Sequence, residues 1–143
     1  MGGPKQFLPL GRTTVVENAL AAFLKLPEIR HISLVLAREN VRLHGKRLSS
    51  ARVRVVEGGA TRMGSVQNGL AALPRSAQLV AVHDGARPLV SPDVIRSTLR
   101  EAARSGAALA AVPIKDTLKE ADSRTLLVKN TPARSRFWQA QTP

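Results

Sequence analysis

Leu79-Val80-Ala81-Val82-His83-Asp84-Gly85-Ala86-Arg87-Pro88 is the stretch that decides the fold. Four apolar residues run into a histidine, an acid, a glycine and an arginine. Strands of parallel sheets are apolar because both of their faces are buried. A strand ending in Asp, Gly and Arg brings charge and bare backbone to the carboxyl edge of a sheet, where open α/β sheets bind ligands. A carboxylate and a guanidinium three residues apart suit a polyanion accompanied by a metal or by sugar hydroxyls. The same residues would also make a solvated turn with a local ion pair, and spacing alone does not separate the two.

Outward from that stretch, strands and helices alternate. Thr14-Val15-Val16-Glu17 reads as a capping box, followed by Val16, Ala19, Leu20, Phe23 and Leu24 at helical spacing, with Pro27 as the stop. Residues 32–37 form an apolar strand, 39–50 are polar and irregular or weakly helical, and 53–56 form a short strand ending at Gly58-Gly59. Residues 65–73 place Val66, Leu70 and Leu73 on one helical face, and 79–82 is the next strand. Ser91-Pro92-Asp93 is a helix start; that helix runs to about residue 105, where Gly106 ends it, and 107–113 is another buried strand. The alternation predicts an α/β fold with a parallel sheet and crossover helices. Residues 117–120 and 126–131 flank a turn and read as a hairpin arm outside the main sheet, of a kind that serves a partner subunit. A last short strand covers 137–141.

The length of 143 residues predicts a single domain spanning 1–143, with the arm at about 115–135. The apolar fraction of 43% is enough for a core and argues against disorder. No apolar window approaches the roughly 18 residues of a membrane span, and no export signal opens the chain. With no cysteine, disulfides and thiolate metal sites are excluded, which fits a cytoplasmic protein. The net charge of +12 invites a nucleic-acid reading. Phe7, Phe23, Phe137 and Trp138 are the only aromatics, too few for a stacking platform. The basic residues are dispersed, so anionic small molecules come first, without nucleic acid or membrane as partner.

Four constellations fall at element ends. Lys5, after Gly3-Pro4, offers a point charge to phosphate oxygens. Gly58 to Ser65, between a strand and a helix, lets a ligand approach bare backbone and free N–H donors. Its spacing is neither that of a P-loop nor that of a dinucleotide fingerprint. Ser65 would cap the helix or meet a base or phosphate. His83 reads as a hydrogen-bonded core histidine. Asp116-Thr117 would hold sugar hydroxyls or cap a turn. His31, His44 and His83 are isolated, so a bound metal would be Mg2+ bridging substrate phosphates.

In order and spacing, Pro4 to Leu10 (PKQFLPL), the GGATR segment with Ser65, Val66, Gly69 and Leu70, Val82 to Val90 (VHDGARPLV), Asp116-Thr117 and the closing segment from Arg134 to Pro143 resemble the 2-C-methyl-D-erythritol 4-phosphate cytidylyltransferase family. The resemblance covers nearly the whole chain. It implies a Rossmann-like nucleotidyltransferase sheet with a projecting β-arm. It also implies a homodimer joined through that arm, and transfer of CMP from CTP to methylerythritol phosphate with Mg2+ and release of pyrophosphate. It gives Lys5 to the triphosphate and the charge developing at the α-phosphorus. Gly59, Ser65 and Gly85 fall to the nucleotide, and Asp84, Arg87 and Thr117 to the acceptor. Arg134 and Thr142 fall to the acceptor phosphate of the other subunit. Ala60 and Ala133 stand where many members carry Asp.

The resemblance further implies that a first strand with its glycine loop, and a later acidic ligand and lysine, lie outside these residues, so that the domain is truncated at both ends. A marginally folded, weakly active chain is the expectation. The alternatives are a ribitol-phosphate-type cytidylyltransferase, a non-catalytic fragment keeping the acceptor half-site and the arm, and a basic nucleic-acid-binding domain.

Overall fold

The computed structural model describes residues 4–141. The chain enters through a short 3-10 turn, Lys5–Phe7. Strands β1 (Pro9–Leu10) and β2 (Thr13–Thr14) then pair antiparallel, and Gly11 takes the left-handed conformation their turn requires, at φ +66°.

Helix α1 (Val15–Leu24) starts at the expected capping box. The Glu17 carboxylate accepts from the Thr14 backbone N–H at 2.8 Å and from its hydroxyl at 2.6 Å, and Arg47 pairs with it from outside the helix. The buried face is Val16, Ala19 and Leu20.

Strands β3 (Ile32–Leu36) and β4 (Val53–Glu57) pair in parallel, from Ile32 opposite Val53 to Leu36 opposite Glu57. Helix α2 (Arg38–Leu48) makes the crossover. The core gathers Val16, Leu20, Leu34, Leu36, Leu48 and Val53, with Phe7 and Val55 packed against it. Each such side chain contributes about 1.5–3 kcal/mol by burial. Helix α3 (Arg62–Ala71) covers the other face of β3. There Gly69 admits Val35, whose methyl would lie 2.8 Å from a Cβ at that position. Helix α4 (Pro92–Ser105) begins as read: the Ser91 hydroxyl accepts from the Val94 N–H at 3.3 Å. It ends at Gly106, at φ +91°.

Several expectations are corrected. Of the two readings left open for 39–50, irregular or weakly helical, the structure takes the helical one over Arg38–Leu48, with Asn40, Gly45 and Leu48 buried. Residues 79–82 form no strand and pair with none among the described residues; Leu79, Val80 and Val82 are 39–46% exposed. A strand needs a neighbour's ladder, and β3 is hydrogen-bonded in its sheet to β4 alone. The segment faces β3 across a cleft instead. Of 107–113, only β5 (Ala111–Pro113) is a strand. It pairs antiparallel with β8 (Trp138–Ala140) rather than joining the parallel sheet, so it is not buried. The hairpin is present but shorter: β6 (Glu120–Ala121) against β7 (Val128–Asn130), with an irregularity at Glu120 and Ala121.

The capping carboxylate gives one pH dependence. The Thr14 hydroxyl, with the Thr14 N–H and Arg47, holds Glu17 below its ordinary value against the opposing cost of burial. A lowered folded value means stability that is present at neutral pH. That stability begins to be lost as pH falls below about 4.3, the value for free glutamate, and is gone below the folded value. Glu17→Gln is therefore expected to cost about 1 kcal/mol at pH 7, with the gap narrowing in thermal melts as pH is lowered below about 4.3.

Candidate functional site: a cationic cleft beside β3

A cleft of about 1290 Å³ runs along the free edge of β3. Val16, Ala19 and Leu20 of α1 line one side of its floor, and Val66, Gly69 and Leu70 of α3 the other. Residues 76–87 close it opposite β3. Lys5, Gly58, Gly59, Arg62, Ser65, Asp84, Gly85 and Arg87 also line it.

Local structure positions each of these. Lys5 follows Pro4, whose carbonyl accepts from the Phe7 N–H at 2.9 Å. Phe7 stacks on His44 of α2 with ring centroids 4.1 Å apart, which fixes the lysine's backbone to the core.

The glycine loop follows β4. The Thr61 hydroxyl caps α3 by accepting from the Gly64 N–H at 3.0 Å. Ser65 is therefore not the cap that the sequence favoured: it sits inside the helix. Its Oγ donates to the Thr61 carbonyl at 3.0 Å and accepts from the Gly59 N–H at 3.1 Å, bracing the loop from beneath. A Cβ at Gly59 would lie 2.8 Å from the backbone carbonyl carbon of Gly64, which cannot swing away as a side chain can. Gly59→Ala is expected to displace this loop and to cost about 1–2 kcal/mol of stability. A thermal melt checks it. Gly85 has ordinary room, its nearest neighbour being a Val16 methyl at 3.6 Å.

Asp84 lies between two guanidiniums. Arg62 Nη2 reaches its Oδ1 and Arg87 Nε its Oδ2, each at 3.3 Å. His83 makes a 2.9 Å hydrogen bond with the Arg87 carbonyl and lies tilted against Phe23, with centroids 5.0 Å apart. It is hydrogen-bonded, as the sequence suggested, but half-buried in the turn rather than in the core. The sequence missed Arg62; a lone carboxylate in a basic loop cluster was the available signal.

The cleft thus gathers Lys5, Gly59, Ser65, Asp84, Gly85 and Arg87, but not Thr117 or Arg134. Those two lie at the base of the hairpin. Thr117 is exposed, and Arg134, in a 3-10 turn Arg134–Arg136, donates to the Lys115 carbonyl at 2.5 Å. Thr142 lies outside the described residues. At the hairpin tip Asp122 accepts from the N–H groups of Arg124 and Thr125 and pairs with Lys129 at 2.8 Å. Lys129 first, then those N–H groups, hold its carboxyl well below the carboxylate range.

For a metal, the described residues offer little. They hold no group of three His, Asp or Glu side chains. The two carboxylates lining the cleft are both engaged, Asp84 as above and Glu28 by Arg96 at 2.6 Å. These residues do not fit a protein-held Mg2+. No helix among them is long and apolar enough to cross a membrane.

A parallel strand pair with a crossover helix, and a glycine loop entering a helix beside a cationic cleft, define an α/β protein of the Rossmann-like kind. Comparison with known proteins narrows this. Residues 1–143 match the profile of the family described as "IspD: 2-C-methyl-D-erythritol 4-phosphate cytidylyltransferase", and the chain belongs to that family.

A 2-C-methyl-D-erythritol 4-phosphate cytidylyltransferase of Syntrophotalea carbinolica is 40% identical over 145 residues, covering 97% of this chain and 61% of the relative. A bifunctional enzyme IspD/IspF of Desulfotalea psychrophila is 40% identical over 143 residues, covering 98% of this chain and 36% of the relative. The crystal structure of 4-diphosphocytidyl-2C-methyl-D-erythritol synthase from Anaerococcus prevotii superposes with a TM-score of 0.86 at 30% identity, covering 96% of this chain and 64% of that one. The cytidylyltransferase of Thermus thermophilus gives a TM-score of 0.77 at 36% identity, covering 99% and 64%. The chain therefore spans between about a third and two thirds of the length of these proteins.

Proposed function

We propose that this chain works in cytidylyl transfer from CTP to 2-C-methyl-D-erythritol 4-phosphate. An oxygen of the acceptor phosphate attacks the α-phosphorus of CTP. The bond from that phosphorus to the oxygen bridging it to the β-phosphorus breaks, and pyrophosphate leaves with that oxygen. The nucleophile is already an anion, so no general base is required. The work is to hold two anions in line, which cationic side chains do by positioning and charge stabilisation. The single observation carrying the reading is that Lys5, the Gly59–Ser65 loop and the Asp84–Arg87 turn, far apart in sequence, line one cleft.

In this reading Lys5 meets the triphosphate and offsets charge growing at the α-phosphorus. Gly59 and Ser65 hold the cytidine, and Gly85 lets the nucleotide approach. Asp84 and Arg87 take the acceptor's hydroxyls and phosphate, and Thr117, outside this cleft at the base of the hairpin, meets an acceptor from the hairpin side. Arg134 and Thr142 reach the acceptor phosphate of a second subunit. Mg2+ would arrive on the phosphates of CTP, neutralising part of their charge, since the described residues supply no ligand set.

A homodimer through the hairpin is part of the proposal. Leu126, Leu127, Val128 and Trp138 are 59–77% exposed on or near it, an apolar surface of the kind that meets a partner. Sedimentation equilibrium should give twice the mass of one chain. Parallel assays with CTP and either methylerythritol phosphate or ribitol 5-phosphate test the acceptor. Turnover confined to the first supports the reading, and preference for the second moves the chain to the ribitol-type class.

A further inference from the structure

Residues 76–90 belong to no strand or helix, yet they carry the acceptor turn. Asp84 and Arg87 pair within the turn, three residues apart. A pair that close in sequence shapes the turn but does not locate it against the rest of the fold. Outward from it run the packing of His83 on Phe23, the approach of Gly85 to Val16 and the bridge from Arg62 to Asp84, of which the bridge alone joins it to the glycine loop's helix.

Arg62 is the first residue of α3. It stands next to Thr61, which caps that helix, and three residues before Ser65, which braces Gly59. The bridge thus links the loop assigned to the nucleotide with the turn assigned to the acceptor. It also occupies one carboxylate oxygen and leaves Arg87 the other, which fixes the plane of the carboxyl group.

We propose that Arg62 is a positioning residue: it holds Asp84, and with it the acceptor turn, at a set distance from the nucleotide loop. This rests on the cytidylyltransferase reading above. Removing the bridge lets the turn drift across the open cleft. Misplacement of about 1 Å is enough to cost on the order of a hundredfold in an in-line reaction. A surface bridge of this kind adds little to stability, so the effect falls on function.

The test compares Arg62→Gln, Arg62→Lys, Asp84→Asn and the double variant Arg62→Gln/Asp84→Asn. Arg62→Gln is expected to raise KM for methylerythritol phosphate about tenfold or more, with KM for CTP within about twofold and an unchanged thermal melt. Arg62→Lys, which reaches one oxygen as a point charge, should recover part of the loss. In the Asp84→Asn background the further change at Arg62 should have little effect, because the residue acts through Asp84. Multiplying effects, or a rise confined to KM for CTP, would overturn the proposal.

A second readout does not depend on turnover. In ¹⁵N spectra of the chain without substrates, Arg62→Gln should shift the amide resonances of Asp84, Gly85 and Arg87 and leave those of β4 in place. Unmoved resonances at 84–87 refute the positioning role whatever the chain catalyses. Absence of transfer with shifted resonances refutes the cytidylyltransferase reading alone.

Discussion

Lys5→Ala is expected to lower kcat for cytidylyl transfer by about 10²- to 10³-fold, the usual cost of removing one preorganised group from developing charge. The size follows from the reaction's needs. No proton is moved by the protein, so stabilisation of charge around the α-phosphorus is a large part of what side chains contribute. The fold should not notice. Lys5 is exposed, and Phe7 anchors its turn through the core and His44, so the melting curve should stay within about 0.5 kcal/mol of the parent. Lys5→Arg keeps the charge but spreads it over a planar fork, and should recover part of the rate. A steady-state assay of pyrophosphate release reads all three. Alanine within twofold of the parent would remove Lys5 from the reaction.

Arg52→Ala is expected to destabilise the chain by about 3 kcal/mol. The Arg52 guanidinium donates to the carbonyls of Leu24 at 2.9 Å and Leu26 at 2.7 Å, and also to that of Ile29. The last carbonyls of a helix have no partner within it; Arg52 satisfies that of Leu24, the last residue of α1, and reaches those of Leu26 and Ile29 in the segment that follows. It also ties the end of α1 to the start of the β3–β4 pair, because Arg52 directly precedes β4 and its own carbonyl accepts from the Ile32 N–H of β3 at 2.8 Å. Hydrogen bonds to a charged group contribute about 1.5–3 kcal/mol each and do not add fully. Truncation leaves the Leu24 and Ile29 carbonyls without this donor and the Leu26 carbonyl with only the Ile29 N–H, beside the Leu26 side chain, which is 1% exposed. A melt followed by circular dichroism should fall by about 10 °C. Arg52→Lys, with one ammonium for three carbonyls, should fall between.

What was legible in the sequence was local. Thr14 with Glu17, and Ser91 with Pro92, start helices through contacts three residues long, and both starts are present. The glycine loop after β4 was legible for the same reason. What was not legible depends on distant partners. The polar run at 38–48 is helical because Asn40, Gly45 and Leu48 bury against the sheet, and its sequence shows little of that face. Leu79 to Val82 has strand composition, yet pairing is a property of two strands, and no described strand pairs with it. Arg52 read as one more solvated cation among 22 Lys and Arg residues. Its three carbonyl partners, at 24, 26 and 29, lie outside any spacing rule. Arg62 was likewise invisible until α3 brought it to Asp84. The gathered site residues were named from their motifs, but that Lys5, Ser65 and Arg87 share one cleft is a fact of the fold.

The central claim is tested most directly by ³¹P NMR of the chain incubated with CTP, Mg2+ and methylerythritol phosphate. The account predicts that the CTP resonances give way to those of pyrophosphate and of a new diphosphate diester. It predicts this slowly, only when the acceptor is present, and with the rate collapsing in Lys5→Ala. CTP that stays intact with the acceptor present, or that is consumed equally well without it or without Lys5, would contradict the account.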